Sequence, residues 1–160
     1  MPTSTERLIA GWLCVLPLGA AAQSFQETSA ALGIGAYAQA PLMGGGVAAA
    51  DFDTDGDIDL FVPNTGGVAD QLYVNRGDGS FEEQAAARGV AHMGRSRSAL
   101  WLDVDGDADL DLVVGTDCFG FQANCTQGGS ALRLYVQQPD GNFLERTNTS
   151  GLVEDMTGFG

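Results

Sequence analysis

The residues with the clearest chemical potential form an acidic run in which an aspartate occupies every second position from Asp51 to Asp59. At neutral pH, ionised carboxylates crowded into one short turn repel one another, and a bound divalent cation converts that repulsion into coordination. Calcium accepts about six to eight oxygen ligands at flexible geometry, and loops with a glycine at position 6 can deliver them. The sequence therefore predicts a calcium loop, with ligands from the side chains of Asp51, Asp53, Asp55 and Asp59 and the main-chain carbonyl of Asp57.

The acidic run from Asp51 to Asp59 has two other interpretations. A solvated acidic turn is the simpler one, because Asp and Gly also favour turns without any ion. An EF-hand would need a bidentate Glu at position 12 of the loop, followed by a helix. Val62 stands at that position, inside the run Asp59–Val62, which is rich in apolar and strand-forming residues. The loop is therefore predicted to connect two strands.

A second acidic run follows about fifty residues later. Aligned through its glycine, it supplies the predicted ligands Asp103, Asp105, Asp107 and Asp109. In this alignment Trp101 takes the place of Asp51. Two outcomes are open for the second site: water or Asp111 completes its ligand shell, although Asp111 lies two residues beyond the last ligand on a strand that could direct it away, or the site is occupied only at high calcium. The second outcome is expected. Because calcium affinity depends on the number of charged ligands, the second loop is expected to bind the ion more weakly than the first.

Strands must position these loops, and an internal repeat indicates how they are arranged. A Phe-x-Glu triplet begins at Phe25, Phe81 and Phe143, and in each case a glycine follows eight residues after the Phe: Gly33, Gly89 and Gly151. A Leu-Tyr-Val run with an Asp-Gly turn precedes the last two triplets, as expected for hairpins. Each unit thus contains two hairpins.

Four strands per unit at a period near fifty residues are typical of β-propeller blades, so the predicted fold class is all-β with an incomplete propeller of about two to three four-stranded antiparallel blades. Helix signals are weak throughout. The predicted strands are Val47–Phe52, Ile58–Pro63, Gln71–Asn75, Ser80–Glu83, Ser98–Leu102, Ala108–Val114, Leu132–Gln137 and Asn142–Arg146.

Composition and the chain ends predict an exported, non-catalytic protein. A net charge of −14 argues against nucleic acid or anionic membrane as partners. His92 is the sole histidine and no G-x-S-x-G motif is present, so no acyl-transfer triad can be assembled. A carboxylate pair from the aspartate runs is a possible glycosidase site, but metal binding explains these side chains better. Residues 1–22 resemble a secretory signal, with a buried N-terminal helix as the alternative. Cys118 and Cys125 are predicted to form a disulfide, with free thiols or a metal pair as alternatives.

The repeat and its acidic loop make residues 24 to 160 resemble the FG-GAP/VCBS repeat family. Blades of this family occur in integrin α-chains and in secreted bacterial proteins, some of which add an ASPIC/UnbV-type domain. The resemblance is carried by the D-x-D-x-D-G-x-x-D-L pattern of Asp51–Leu60 and the L-Y-x-N-x-G-D-G-x-F pattern of Leu72–Phe81. Propellers of this family usually contain seven units, so the region 23–160 is interpreted as part of a longer propeller, truncated at its C-terminus.

The resemblance implies a calcium-stabilised propeller that serves as an interaction or adhesion scaffold outside the cell. Its location would be secreted, periplasmic or at the cell surface, without a membrane span after signal cleavage, and its partner an extracellular protein or glycan. The alternative is the propeller portion of a carbohydrate-binding or carbohydrate-active protein. The integrin-binding tripeptide Arg76-Gly77-Asp78 sits at a predicted hairpin tip, but Asp and Gly are needed there for the turn itself.

Overall fold

The computed structural model describes residues 25–35, 45–65, 68–116 and 132–151. Its strands form two four-stranded antiparallel sheets, each a meander in sequence order. Sheet 1 consists of β1 (Ala48–Ala50), β2 (Asp59–Val62), β3 (Gln71–Asn75) and β4 (Phe81–Glu83), and sheet 2 of β5 (Ser96–Leu102), β6 (Asp111–Thr116), β7 (Leu132–Gln137) and β8 (Phe143–Glu145). The all-β class and the blade-like sheets are confirmed, and the two sheets do not close into a ring.

Strand ends and short helices are where the structure departs from the sequence-based expectation. The strand predicted to begin at Ala108 begins at Asp111, because Ala108 still belongs to the acidic loop and has a φ of 76°. One α-helical turn, α1 (Ala85–Arg88), and two 3-10 turns, Ser29–Leu32 and Thr147–Thr149, were not predicted. Each helical turn follows a Phe-x-Glu triplet, so the turns belong to the repeat. No helix in the described residues is long and apolar enough to cross a membrane.

Aromatic side chains pack the two sheets against each other. Phe52 stacks on Trp101 with ring centroids 5.5 Å apart and planes at 8°, and Phe143 lies 5.8 Å from Phe52 and 6.0 Å from Trp101. Phe61 meets the edge of Trp101 at 6.4 Å. Such pairs each contribute about 0.5–1.5 kcal/mol beyond the burial of their area. Trp101 is therefore the centre of the contact between the sheets.

The glycines eight residues after each Phe have a packing role. Gly33 and Gly89 adopt φ values of 83° and 84°, and a Cβ added to either would contact the carbonyl oxygen of Phe81 or Phe143, respectively. The end of one unit thus packs closely on the outer strand of the next. A Cβ added to Gly151, whose φ is 73°, would meet no described atom within 4 Å. Close approach to a neighbouring strand explains the glycine in the first two copies.

Three sequence-based expectations concern residues outside the described ranges. They are the signal segment 1–22, the Cys118–Cys125 disulfide and the course of the chain after Gly151. All three stay predictions.

Candidate metal centres

The first acidic loop joins β1 to β2 and brings three carboxylates together. Ligand oxygens of Asp51, Asp53 and Asp59 all lie within 4.8 Å of one another. Asp51 follows the last residue of β1, and Asp59 is the first residue of β2, paired opposite Ala50. The two ends of the loop are therefore held side by side by the strand pairing itself.

Backbone amides fix the shape of this loop. The Asp51 carboxylate accepts hydrogen bonds from the N–H groups of Asp55 at 3.0 Å and Gly56 at 2.9 Å. The Asp55 carboxylate accepts one from the N–H of Asp57 at 2.8 Å. Thr54 and Gly56 adopt left-handed φ values of 60° and 96°, which a glycine adopts at little cost. The backbone thus folds around the Asp51 side chain.

Asp59 ties the loop to the sheet beneath it. Its carboxylate is fully buried and accepts hydrogen bonds from the N–H groups of Phe52 at 3.3 Å and Asn75 at 2.8 Å. Burial raises the pKa of Asp59 to about 6, against the lowering effect of these two amides. A carboxylate held in this way keeps lone pairs that can still bind a cation.

Asp53 supplies the observation that best tests whether the residues fit a metal ion. Its Oδ1 atom is buried and has no hydrogen-bond partner. Burial first, and then the charge of Asp55, raises the pKa of the Asp53 carboxyl. A buried, unpartnered carboxylate oxygen is costly unless a cation or a donor satisfies it. The loop therefore fits a hard cation that binds oxygen ligands.

A second cluster repeats this geometry in the β5–β6 loop, where oxygens of Asp103, Asp105 and Asp111 lie within 4.8 Å of one another. Asp111 is buried and accepts hydrogen bonds from the N–H groups of Val104 and Gln137, both at 2.8 Å. Asp103 accepts from Gly106 at 2.7 Å and from Ala108 at 3.1 Å. The roles of Asp103 and Asp111 match those of Asp51 and Asp59.

This match corrects the alignment of the two loops. Asp51 corresponds to Asp103, an offset of 52 residues. Ala49 pairs with Leu60 in sheet 1 as Trp101 pairs with Leu112 in sheet 2, so Trp101 corresponds to Ala49. The expectation that Trp101 replaces a ligand is wrong. Asp111, for which the sequence leaves both directions open, lies in the cluster with Asp103 and Asp105. The second loop has an aspartate at all five odd positions, as the first does: Asp103, Asp105, Asp107, Asp109 and Asp111.

The two acidic loops have their glycine at different positions. Both loops have left-handed residues at positions 4 and 6, which are Thr54 and Gly56 in the first loop and Gly106 and Ala108 in the second. The glycine occupies position 6 in one loop and position 4 in the other, so an alignment through the glycines slips by two residues. The alternation of aspartates alone would have given the right register.

The remaining predicted ligands lie outside the two groups of three. The carboxylates of Asp55 and Asp107 each accept a hydrogen bond from the N–H two residues later, and the side chain of Asp57 lies close to Gly77. Asp109 stands at position 7 of its loop, where the first loop has Asp57. These four residues, and the carbonyl ligand proposed at position 7, stay predictions.

One cation lies beside the first cluster. Arg88, at the end of α1, places its Nη2 atom 3.9 Å from Asp53 Oδ2. Its Nη1 donates a 2.8 Å hydrogen bond to the carbonyl of Gly141, in the β7–β8 turn of sheet 2. The guanidinium carbon lies 5.3 Å from the centroid of the Phe52 ring. Arg88 gives no obvious signal in the sequence, because its contacts come from two different units.

The arrangement of these side chains is suited to binding cations. Both clusters consist of carboxylate oxygens, which are the ligands of hard divalent cations. No curated protein matches this chain. Residues 51–114, from the first acidic loop to β6, match the family model described as FG-GAP-like repeat.

Proposed function

We propose that this chain is a calcium-stabilised β-propeller-type module that acts outside the cell as a non-catalytic interaction or adhesion scaffold. The observation that carries the calcium assignment is the unpartnered, buried Oδ1 of Asp53 within a group of three carboxylates. The repeated cluster at Asp103, Asp105 and Asp111 supports it. FG-GAP-like repeats supply the propeller-type fold.

Calcium suits these loops better than magnesium does. The ligands lie on short loops between strands and include up to five aspartates each, which favours a large ion with flexible coordination over a small ion that demands a strict octahedron. A bound calcium ion would supply positive charge that neutralises the crowded carboxylates. Asp59 and Asp111 hold the loops in place, because their carboxylates accept hydrogen bonds from backbone N–H groups of β3 and β7, respectively.

The packed sheets and exposed loops of the module support a scaffold role. Its two sheets are held by an aromatic contact, while its loops and turns are exposed and carry much of the net charge of −14. Export would place these loops where calcium is plentiful, and the signal-like residues 1–22 and the disulfide predicted between Cys118 and Cys125 favour that location. Its partner would be an extracellular protein or glycan.

Titration calorimetry of the metal-free chain tests the calcium assignment. We expect calcium to bind at two sites and magnesium to bind more weakly. Asp53→Asn should remove one site and Asp105→Asn the other, while Asp78→Asn, in an exposed turn outside both clusters, should remove neither. Equal or tighter binding of magnesium, or no heat with calcium at millimolar concentration, would contradict the assignment.

A further inference from the structure

Arg88 lies where the first carboxylate cluster meets sheet 2. It contacts Asp53 of the cluster, the ring of Phe52 and the carbonyl of Gly141. Its side chain is only 21% exposed, so water screens its charge incompletely. One cation therefore belongs both to the surroundings of the metal cluster and to the contact between the sheets.

The position of this guanidinium is fixed by several groups. Its Nε donates a 2.9 Å hydrogen bond to Gln84 Oε1, four residues earlier. Gly141, which accepts from Nη1, has a φ of 76°, and a Cβ on it would collide with that same nitrogen. The Phe52 ring beneath the guanidinium is itself stacked on Trp101 of sheet 2. Arg88 is thus held by both sheets and cannot simply swing into solvent when a second cation arrives.

From this geometry we propose that Arg88 lowers the calcium affinity of the cluster formed by Asp51, Asp53 and Asp59, and links ion binding there to the contact between the sheets. The inference rests on the proposed calcium binding. A fixed positive charge beside a ligand repels a bound divalent ion and competes with it for the Asp53 carboxylate. Because such linkage is reciprocal, calcium at this cluster weakens the hold of Arg88 on Asp53 by the same free energy.

The second cluster provides an internal comparison. Counting from the glycine that ends each unit, Arg88 before Gly89 corresponds to Ser150 before Gly151. Ser150 carries no charge, and its hydroxyl donates a 2.8 Å hydrogen bond to the carbonyl of Thr147. Both loops have the same five aspartate positions, and among the described residues the structure gives Arg88 an ion pair with the first cluster only. A difference in calcium affinity between the clusters can therefore be compared with the presence of this one cation.

Calorimetry on single-cluster variants tests the proposal, with calcium as the probe. In an Asp105→Asn background, which leaves the first cluster, adding Arg88→Met should tighten calcium binding about tenfold at low ionic strength, and less at high salt. Methionine retains an apolar stem over Phe52. Arg88→Lys, which keeps the charge, should bind as the parent does. In an Asp53→Asn background, which leaves the second cluster, Arg88→Met should change nothing.

Arg146→Met is the control for net charge, because Arg146 is exposed and lies outside both clusters. Its affinity should stay within twofold of the parent. Unchanged or weaker calcium binding by Arg88→Met would overturn the proposal, and so would an equal gain in Arg146→Met. If Arg88→Met does not fold, two other results would overturn the proposal. One is tighter calcium binding by Arg88→Lys, and the other is a calcium affinity of the parent protein that does not change with salt concentration. Absence of calcium binding in every variant would overturn the proposed function as well.

Discussion

The hydroxyl of Ser96, at the start of sheet 2, donates a 2.7 Å hydrogen bond to the Asp70 carboxylate, which precedes β3 of sheet 1. The other oxygen of Asp70 accepts from the N–H of Asn64 at 2.7 Å. Asp70 is 1% exposed and Ser96 fully buried. A polar contact between the two sheets thus accompanies the aromatic one. It lies outside the acidic loops.

Asp70 should make the stability of the metal-free protein depend on pH. Burial raises the pKa of Asp70 to about 6, although the bonds from Asn64 and Ser96 and the charge of Arg133 oppose this. The folded state therefore binds a proton that the unfolded state has lost between about pH 4 and 6. This contribution to stability is fully present below about pH 4 and is lost as the pH rises through 6.

Urea denaturation in the presence of a chelator, at several pH values from 4 to 7, measures the effect. Through Asp70, the unfolding free energy of the parent falls as the pH rises in this window. Asp70→Asn should make this fall less steep by up to about 1.4 kcal/mol per pH unit. Asp59 also has a pKa raised to about 6, and its titration is common to both proteins, so the difference between them reports Asp70. Parallel curves for the two proteins would show that Asp70 does not titrate there.

Replacing Trp101 should affect the stability of the fold more than it affects ion binding. It contacts three aromatic rings, so Trp101→Ala should cost about 3–5 kcal/mol. Its buried Nε1–H has no partner, and leaving a buried donor unsatisfied is itself costly. Trp101→Phe should therefore cost clearly less than Trp101→Ala. Chemical denaturation compares the two variants, and a larger loss in Trp101→Phe would contradict this account.

Fold class and strand order could be predicted from the sequence because they depend on local patterns. Leu-Tyr-Val runs and the Asp-Gly turns that follow them identify β3 and β7 with their observed bounds. The register of the second loop could not be predicted from its glycine, because Thr54 and Ala108 adopt left-handed conformations without one. The role of Arg88 could not be predicted either, since it depends on how one sheet docks on the other.

The repeat glycines give a prediction with a built-in control. In Gly89→Ala, the new methyl group would lie 2.9 Å from the carbonyl oxygen of Phe143 while the residue keeps a φ of 84°. The left-handed backbone alone costs about 1–2 kcal/mol. Gly151→Ala meets only this backbone cost, because no described atom lies near. Thermal melts should show a larger loss of stability for Gly89→Ala than for Gly151→Ala. Equal losses would mean that the contact with the Phe143 carbonyl adds nothing to the cost of the substitution.

The corrected register gives a final prediction about the second loop. Asp111 corresponds to Asp59, belongs to the group with Asp103 and Asp105, and anchors the loop through the N–H groups of Val104 and Gln137. Asp111→Asn removes one negative ligand charge and keeps one oxygen, which can accept one of those two bonds.

Calcium affinity falls with the number of charged ligands, so calorimetry in an Asp53→Asn background should show at least tenfold weaker binding for Asp111→Asn, since tenfold corresponds to about 1.4 kcal/mol. Trp101→Phe in the same background should leave calcium affinity unchanged, because Trp101 lies in the contact between the sheets. Weaker calcium binding by Trp101→Phe together with unchanged binding by Asp111→Asn would contradict the corrected register. That result would favour the alignment in which Trp101 occupies the first ligand position and Asp111 lies beyond the last.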